Sequence, residues 1–299
     1  MLTISGQRFC YSAIGFALAS TLVWPASAAD NVQDFSGFWG RSTFDFEAIP
    51  SAPGPIRNLQ RLPSGSSDPT RPVGDYNNPI LKPEAAAIVK QRSERAVTGV
   101  TFPDPSTRCA PYNPPFVSAM QLGMQFLQAK DTITILYNQD DQVRYIRLNG
   151  KHPDRVTPTW KGDSIAHYEG DTLVIDTVGI KADSQSVVDR YGTPLGADAH
   201  VVERYRLVDA AVAKQAQEQH EKEAGRLGGA LVPDETSAKG LELQLTIKNP
   251  VYFKQPLPVR VTYRRTVLPW QEQVCAENAD NQYAVAASPP IPKADKPDF

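Results

Sequence analysis

The amino-acid sequence predicts an all-β fold with minor helices, an antiparallel meander closing into a barrel; a two-sheet β-sandwich is the alternative. Three observations carry this reading. From Met120 onward the chain alternates apolar and polar residues in short stretches, separated by turn residues about ten positions apart. Thr159 to Ile180, TWKGDSIAHYEGDTLVIDTVGI, reads as two strands joined at Glu169-Gly170-Asp171, where Gly170 supplies the positive φ of a tight hairpin turn. Roughly eight strands in succession also leave two long edges exposed unless the sheet closes on itself.

The elements follow in order. Residues 1–28 read as a secretory signal peptide: Arg8 makes a short basic region, Phe9 to Trp24 is apolar, and Ala26-Ser27-Ala28 is an A-x-A cleavage pattern before Ala29. That places the mature chain in the periplasm or outside the cell. No other segment approaches about 18 consecutive apolar residues, so the sequence predicts a chain that does not span a membrane. Residues 29–299 are read as a single barrel domain. Asp34 to Trp39 opens it as a strand continuing through Arg41 to Phe46. A Pro-rich arm over 50–83 is excluded from helix interiors and ladder strands, leaving a long ordered loop or a mobile arm. A helix starts at Lys82-Pro83-Glu84 and runs to about Arg95.

Strands follow at Met120–Gln128, Thr132–Tyr137 and Gln142–Leu148, and Asn149-Gly150 is a two-residue hairpin signal. After the 159–180 hairpin come strands at His200–Val208, Leu241–Lys248 and Pro258–Val267. A polar, alanine-rich helical excursion over 209–226 interrupts them, and its Gln, Glu and Lys residues read as solvated.

Lysine and arginine number 31 against 33 aspartate and glutamate, and losing Arg8 with the leader takes the formal charge from −2 to −3. This argues against nucleic acid or an anionic membrane surface as partner. The chain has three cysteines, and Cys10 leaves with the leader. Cys109 and Cys275 remain as an even pair in an oxidising compartment, so a structural disulfide is expected; loop-entropy arguments give it roughly 4–5 kcal/mol at most.

Gly37-Phe38-Trp39 on the first strand resembles the G-x-W signature of lipocalin-type barrels. That resemblance implies a lipocalin-like barrel in which an arginine from a late strand, Arg264 or Arg265, packs on the tryptophan face. The chain also resembles a family of exported bacterial proteins of uncharacterised function. The residues that carry this are Phe35 to Trp39, Cys109 among prolines, Arg144-Tyr145-Ile146, Asn149-Gly150-Lys151-His152-Pro153, Tyr168 to Thr177 with its Glu-Gly-Asp-Thr-Leu-Val core, His200 to Arg204 and Ala294 to Phe299. The family has His where this chain has Asp163, which departs from its Gly-His-Ser triplet.

Candidate catalytic residues are His152, His167, Glu169, Asp171 and His200, a set able to supply acid and base. Three histidines, or two with a carboxylate, also suit a transition metal, yet none sits in a ligand-spaced motif, so neither a metal nor a cofactor is expected. The simpler reading of the acids is turn chemistry at Asp171 and a cross-sheet arginine pair at Asp176. Candidate ligand-binding residues are Arg144, Tyr145, Trp160, Tyr168, Glu203 and Arg204. Arg144 and Glu203 are expected either as an ion pair inside the barrel or as an exterior cross-strand pair.

Three functions are compatible with this pattern. The first is an exported barrel binding a small, largely apolar molecule in its interior, since eight-stranded barrels hold one such ligand. The second is a periplasmic lyase, isomerase or hydrolase using a His/carboxylate pair. The third is an envelope structural or partner-binding protein that uses the 50–83 arm as its contact element. No nucleotide-binding or nucleophile-elbow motif is present.

Overall fold

The computed structural model describes Met1 and residues 32–50, 52–98, 105, 109–120, 122–226 and 231–270. The chain divides into Met1–Asn31 and Val32–Phe299. The leader expected over 1–28 lies, apart from Met1, outside the described residues.

Val32–Phe299 contains strands β1 (Phe38–Gly40), β2 (Glu47–Ala48), β3 (Met124–Gln128), β4 (Thr132–Tyr137), β5 (Gln142–Leu148), β6 (Asp163–Glu169), β7 (Thr172–Val178), β8 (His200–Asp209), β9 (Lys239–Lys248) and β10 (Leu257–Arg265). Helices are α1 (Pro83–Val97), α2 (Phe116–Ala119) and α3 (Ala210–Ala224). The sheet runs β1-β3-β4-β5-β6-β7-β8-β9-β10, and β1 also pairs with β10, so nine strands close into a barrel; β2 is an extra strand on β10. The fold is the barrel the sequence predicts, and closure leaves the long meander without two open edges.

Two local expectations are corrected. The first strand does not continue through Arg41 to Phe46. It breaks after Gly40, and β2 rejoins β10 at Ala48↔Val259. The inserted Arg41 is 1 % exposed: its Nη2 donates to Thr43 Oγ1 at 2.9 Å and to the Asp45 carbonyl at 2.8 Å, and lies 3.7 Å from Glu47. A buried guanidinium takes its acceptors from an irregular backbone, which a regular strand does not offer on one side. Nor do Asn149 and Gly150 turn a hairpin. β5 and β6 pair in parallel, with Arg147↔Ile165 and Leu148↔Ala166, so residues 149–162 form a crossover. Asn149 does take the expected positive φ of 56°.

The packing on Trp39 follows the expected form. Arg265 lies over its ring, 4.5 Å from the centroid, and the indole Nε1 donates to the Phe35 carbonyl at 2.8 Å. Gly37 has φ 114°, and a Cβ there would sit 1.9 Å from Arg265 Nη1. Only glycine leaves room for this guanidinium.

The 50–83 arm is an ordered loop. Asn58 bridges Gly74, Leu81 bridges Phe253, and Ile56, Val73, Ile80 and Leu81 are buried. Helix α1 opens with Pro83 and buries Ala85, Val89, Ser93 and Ala96, the one-sided spacing of a helix lying on a core. Helix α3 is not a solvated excursion. Ala213, Gln217, His220 and Ala224 are buried, Gln217 Nε2 donates to the carbonyls of Gly40 and Thr262, and Ala213 lies against Gly240. Its many polar residues mask a four-residue buried stripe of small and hydrogen-bonded side chains.

Inside the barrel, alternate residues of each strand meet. They include Phe126, Ile133, Ile135, Tyr137, Ile146, Leu173, Ile175, Val201, Tyr205, Leu243, Leu245, Val261 and Tyr263. Arg144 and Glu203 lie among them, 2.6 Å apart and 1 % and 0 % exposed. The pair is interior, and its remaining polar atoms are satisfied. Arg144 also donates to Ser164 Oγ, Tyr137 Oη and Thr177 Oγ1, while Glu203 accepts from Tyr205 Oη and Ser118 Oγ. Burial works against the guanidinium charge, but Glu203 outweighs it and raises the pKa of Arg144.

Candidate functional site

The strand alternation that turns Glu203 inward turns His200 outward, because their positions differ by an odd number. On β7, Thr177 likewise faces in and Asp176 faces out. The β7–β8 register, with Asp176 opposite Val202, brings Asp176 within reach of His200 two positions along. His200 Nε2 and Asp176 Oδ2 are 2.7 Å apart. The crossover after β5 swings His152 onto the same face. Its Nε2 lies 2.9 Å from Asp176 Oδ1 and its Nδ1 lies 2.6 Å from Asp163 Oδ1. Arg147 closes the chain, donating to both oxygens of Asp163 at 2.8 Å. The result is one continuous exterior row: Arg147, Asp163, His152, Asp176, His200.

The electrostatics follow from these bonds. Hydrogen bonding from Arg147, helped by His152, holds the Asp163 carboxyl down at about 2 despite partial burial. Burial pushes Asp176 up, but hydrogen bonds from His200 and His152 outweigh it and hold the carboxyl below its ordinary value. Both aspartates are therefore ionised acceptors. Each oxygen of Asp176 is matched to one imidazole, which fixes both rings. With Nε2 of His200 donating to Asp176, the neutral ring carries its lone pair on Nδ1. Among the described residues Nδ1 has no hydrogen-bond partner. An imidazole oriented by a carboxylate with its second nitrogen available is a base able to move a proton.

His200 also walls a cleft of about 420 Å³, with Lys82, Asp198, Lys248, Asn249, Pro250, Phe253, Lys254, Gln255 and Pro256. This is within the range of small-molecule sites. Lys248 stands opposite His200 in the β8–β9 register, both side chains facing outward. The cleft is held by long-range ties: Asn249 Oδ1 accepts from the Gly196 amide, its Nδ2 donates to the Pro194 carbonyl, and the Lys82 and Lys254 amides bond Tyr252 and Ile80.

Comparison of the chain with family models, with curated proteins and with solved structures finds no match. The site is therefore read from its own chemistry.

Of the expected catalytic residues, the structure brings His152 and His200 together through Asp176. It leaves His167, Glu169 and Asp171 elsewhere. His167 Nε2 and Arg204 Nη2 both contact Glu169, at 3.0 and 2.6 Å, in a cluster about half exposed, and Arg204 pulls the Glu169 carboxyl down to about 2. Such a solvated cluster stabilises little. Asp171 accepts from the Thr172 hydroxyl at the hairpin turn, a side-chain bond rather than the backbone N–H bonds of turn chemistry. Asp176 pairs with two histidines rather than with an arginine.

The expected ligand-binding residues also separate. Arg144 and Glu203 are spent on each other inside the barrel. Tyr145 is 73 % exposed on the outer face of β5. Lys181 lies over Trp160, 4.6 Å from its ring centroid, and Tyr168 accepts from Gln128. Arg204 is bound to Glu169. The expected Cys109–Cys275 bridge falls on Cys275, which lies outside the described residues; Cys109 has φ 51°.

Sequence reasoning missed Lys82, Lys248 and Lys254, because nothing local joins residue 82 to residues 248–254. It also passed over Lys161, whose Nζ donates to the Tyr112 carbonyl at 2.6 Å and to Gln142 Oε1. Burial, with the charge of Arg144, lowers its pKa to about 7. Among the described residues no group of three His, Cys, Asp or Glu is arranged to hold a metal ion, and no helix is long and apolar enough to cross a membrane.

Proposed function

We propose that this chain is an exported acid–base enzyme acting on a small molecule held in the cleft beside His200. His200 moves the proton, and Asp176 positions its ring. The observation that carries this is the 2.7 Å contact between His200 Nε2 and Asp176 Oδ2 at a residue that walls the cleft. Export rests on the leader pattern of residues 1–28.

The interior of the barrel is the weaker candidate for the ligand. Its inward positions carry Tyr137, Arg144, Tyr205 and Tyr263, all at 2 % exposure or less; Arg144 bonds Tyr137, Tyr205 bonds Glu203, and Tyr263 bonds the Ser118 carbonyl. A ligand there displaces bonds that are already satisfied. The envelope-partner reading has less support, because Leu81 of the 50–83 arm bridges Phe253 and the arm packs down on the domain.

The test is turnover of a panel of p-nitrophenyl esters by the mature protein from pH 5 to 9, beside His200→Gln and Asp176→Asn. General acid–base work at one imidazole contributes about 10²- to 10⁴-fold. His200→Gln is expected to lose turnover on that scale with an unchanged melting profile, and Asp176→Asn to lose less. Full turnover in His200→Gln removes the proposal.

A further inference from the structure

We infer that the cleft takes a small organic anion, a carboxylate or similar acid carried on an apolar body. This rests on reading the cleft as the functional site and names the substrate class for it.

The charge distribution is lopsided. Lys82, Lys248 and Lys254 line the cleft against the single carboxylate of Asp198. The lysines that do pair with carboxylates, among the described residues, are Lys90, Lys181 and Lys239. Among the described residues, none of the three cleft lysines has such a partner. Lys82 Nζ donates to the Pro250 carbonyl at 2.5 Å, which ties one ammonium to the cleft lining. Like charges gathered around a concave, low-dielectric surface focus a positive field into it. A neutral ligand gains nothing from that field and a cation is repelled.

Part of the lining is apolar. Phe253 is tied to Leu81 by a bridge and flanked by Pro250 and Pro256, so this wall is stiff. The exposed rings of Pro250 and Pro256 present a flat surface with little side-chain entropy to lose on binding, while Phe253, 2 % exposed, anchors them to the core. An acid head toward the lysines and an apolar body on this wall satisfy both halves. Lys248, opposite His200 in register, then brings the head group to the imidazole. The proton that His200 moves is thus on or next to a group of negative charge, which the lysines also stabilise as it develops.

The experiment is a backbone-amide NMR titration of the mature protein with p-toluate and with its neutral isostere p-toluamide. It is run on the natural chain and on the double variant Lys248→Gln/Lys254→Gln. The inference expects p-toluate to shift the amides of His200, Lys248, Phe253 and Lys254, to bind at least fivefold tighter than the amide, and to lose that preference in the double variant. Equal binding of the two probes in the cleft overturns the anion class while leaving the cleft as a site. Shifts confined to lysines elsewhere, such as Lys214 and Lys222, or no shifts in the cleft with either probe, overturn both. A clear preference for p-toluate together with undiminished ester turnover in His200→Gln upholds the anion class and removes the acid–base role.

Discussion

Glu203 accepts a 2.6 Å hydrogen bond from Arg144 in the barrel interior, where the two side chains are 0 % and 1 % exposed. Strand β8 carries Glu203, and strand β5 carries Arg144, separated in the sheet by β6 and β7. The pair therefore reaches across the lumen rather than along a ladder. Every strand between them contributes to the polar cage: Ser164 from β6 and Thr177 from β7 both accept from Arg144.

A buried pair of this kind is costly to break and cheap to replace whole. Glu203→Gln is expected to destabilise the fold by about 3–5 kcal/mol, since it leaves a buried guanidinium without its counter-charge. Replacing both partners, Arg144→Met with Glu203→Leu, recovers most of that loss. Urea unfolding of the singles and the double decides this; a single-variant loss under about 1 kcal/mol contradicts the interior placement.

Arg265 and Trp39 offer a second cycle. Arg265→Ala removes a cation–π contact and is expected to cost about 1–2 kcal/mol. Gly37→Ala forces a Cβ to within 1.9 Å of that guanidinium and strains a φ of 114°. The two changes together are expected to cost less than their sum, because the clash needs Arg265. Strict additivity in a double-mutant cycle counts against this packing.

Helix α3 makes a test of burial against composition. Gln217→Ala strands the carbonyls of Gly40 and Thr262, at about 1–3 kcal/mol. Gln219→Ala, whose side chain bonds only Glu223 on the exposed face, stays within about 0.5 kcal/mol. Similar effects of the two substitutions in thermal unfolding are the result that sinks the packed-helix account.

The acid limb of stability belongs in part to Asp163. Its folded carboxyl, held at about 2, lies below the ordinary value of 3.8, so the unfolded state binds the proton more readily. Its stabilisation is fully present above about 4 and is lost as the pH falls toward 2. Asp163→Asn is expected to flatten the unfolding free energy over that window, measured by denaturant titration at stepped pH.

Lys161 shapes the alkaline side. Its folded value of about 7 lies below the ordinary 10.5, so between those limits the unfolded chain holds the extra proton and stability rises with pH. The natural chain is expected to gain stability from pH 7 to 9.5 in chemical denaturation. Lys161→Met loses that slope, and an identical slope in both proteins rules the lysine out as its origin.

Much of the architecture was legible from residues alone. Period-two alternation on β3 to β10 announces half-buried strands because a strand face is either core or solvent. The resemblance of Gly37-Phe38-Trp39 to the G-x-W signature implied a late arginine on the tryptophan, and Arg265 lies there. Arg144 and Glu203 read from the sequence as a pair, either inside the barrel or on its exterior. Alternation identifies which residues share a face of one strand, but not whether that face turns into the lumen. Polar composition misled at α3, where a buried stripe of Ala213, Gln217, His220 and Ala224 is too small a share of the helix to dominate its pattern.

The sequence by itself determined a strand-rich chain, a leader pattern, the positions of the turns and the set of histidines and carboxylates from which a site is built. These are local properties, carried by propensity and periodicity. The tertiary structure decided closure through β1 and β10, the parallel β5–β6 pairing, the union of His152 and His200 on one carboxylate 24 positions from each, and the meeting of Lys82 with Lys248 and Lys254 around one cleft. Each of these is a pairing between distant segments, selected by burying the whole core at once, and no window of neighbouring residues carries that information.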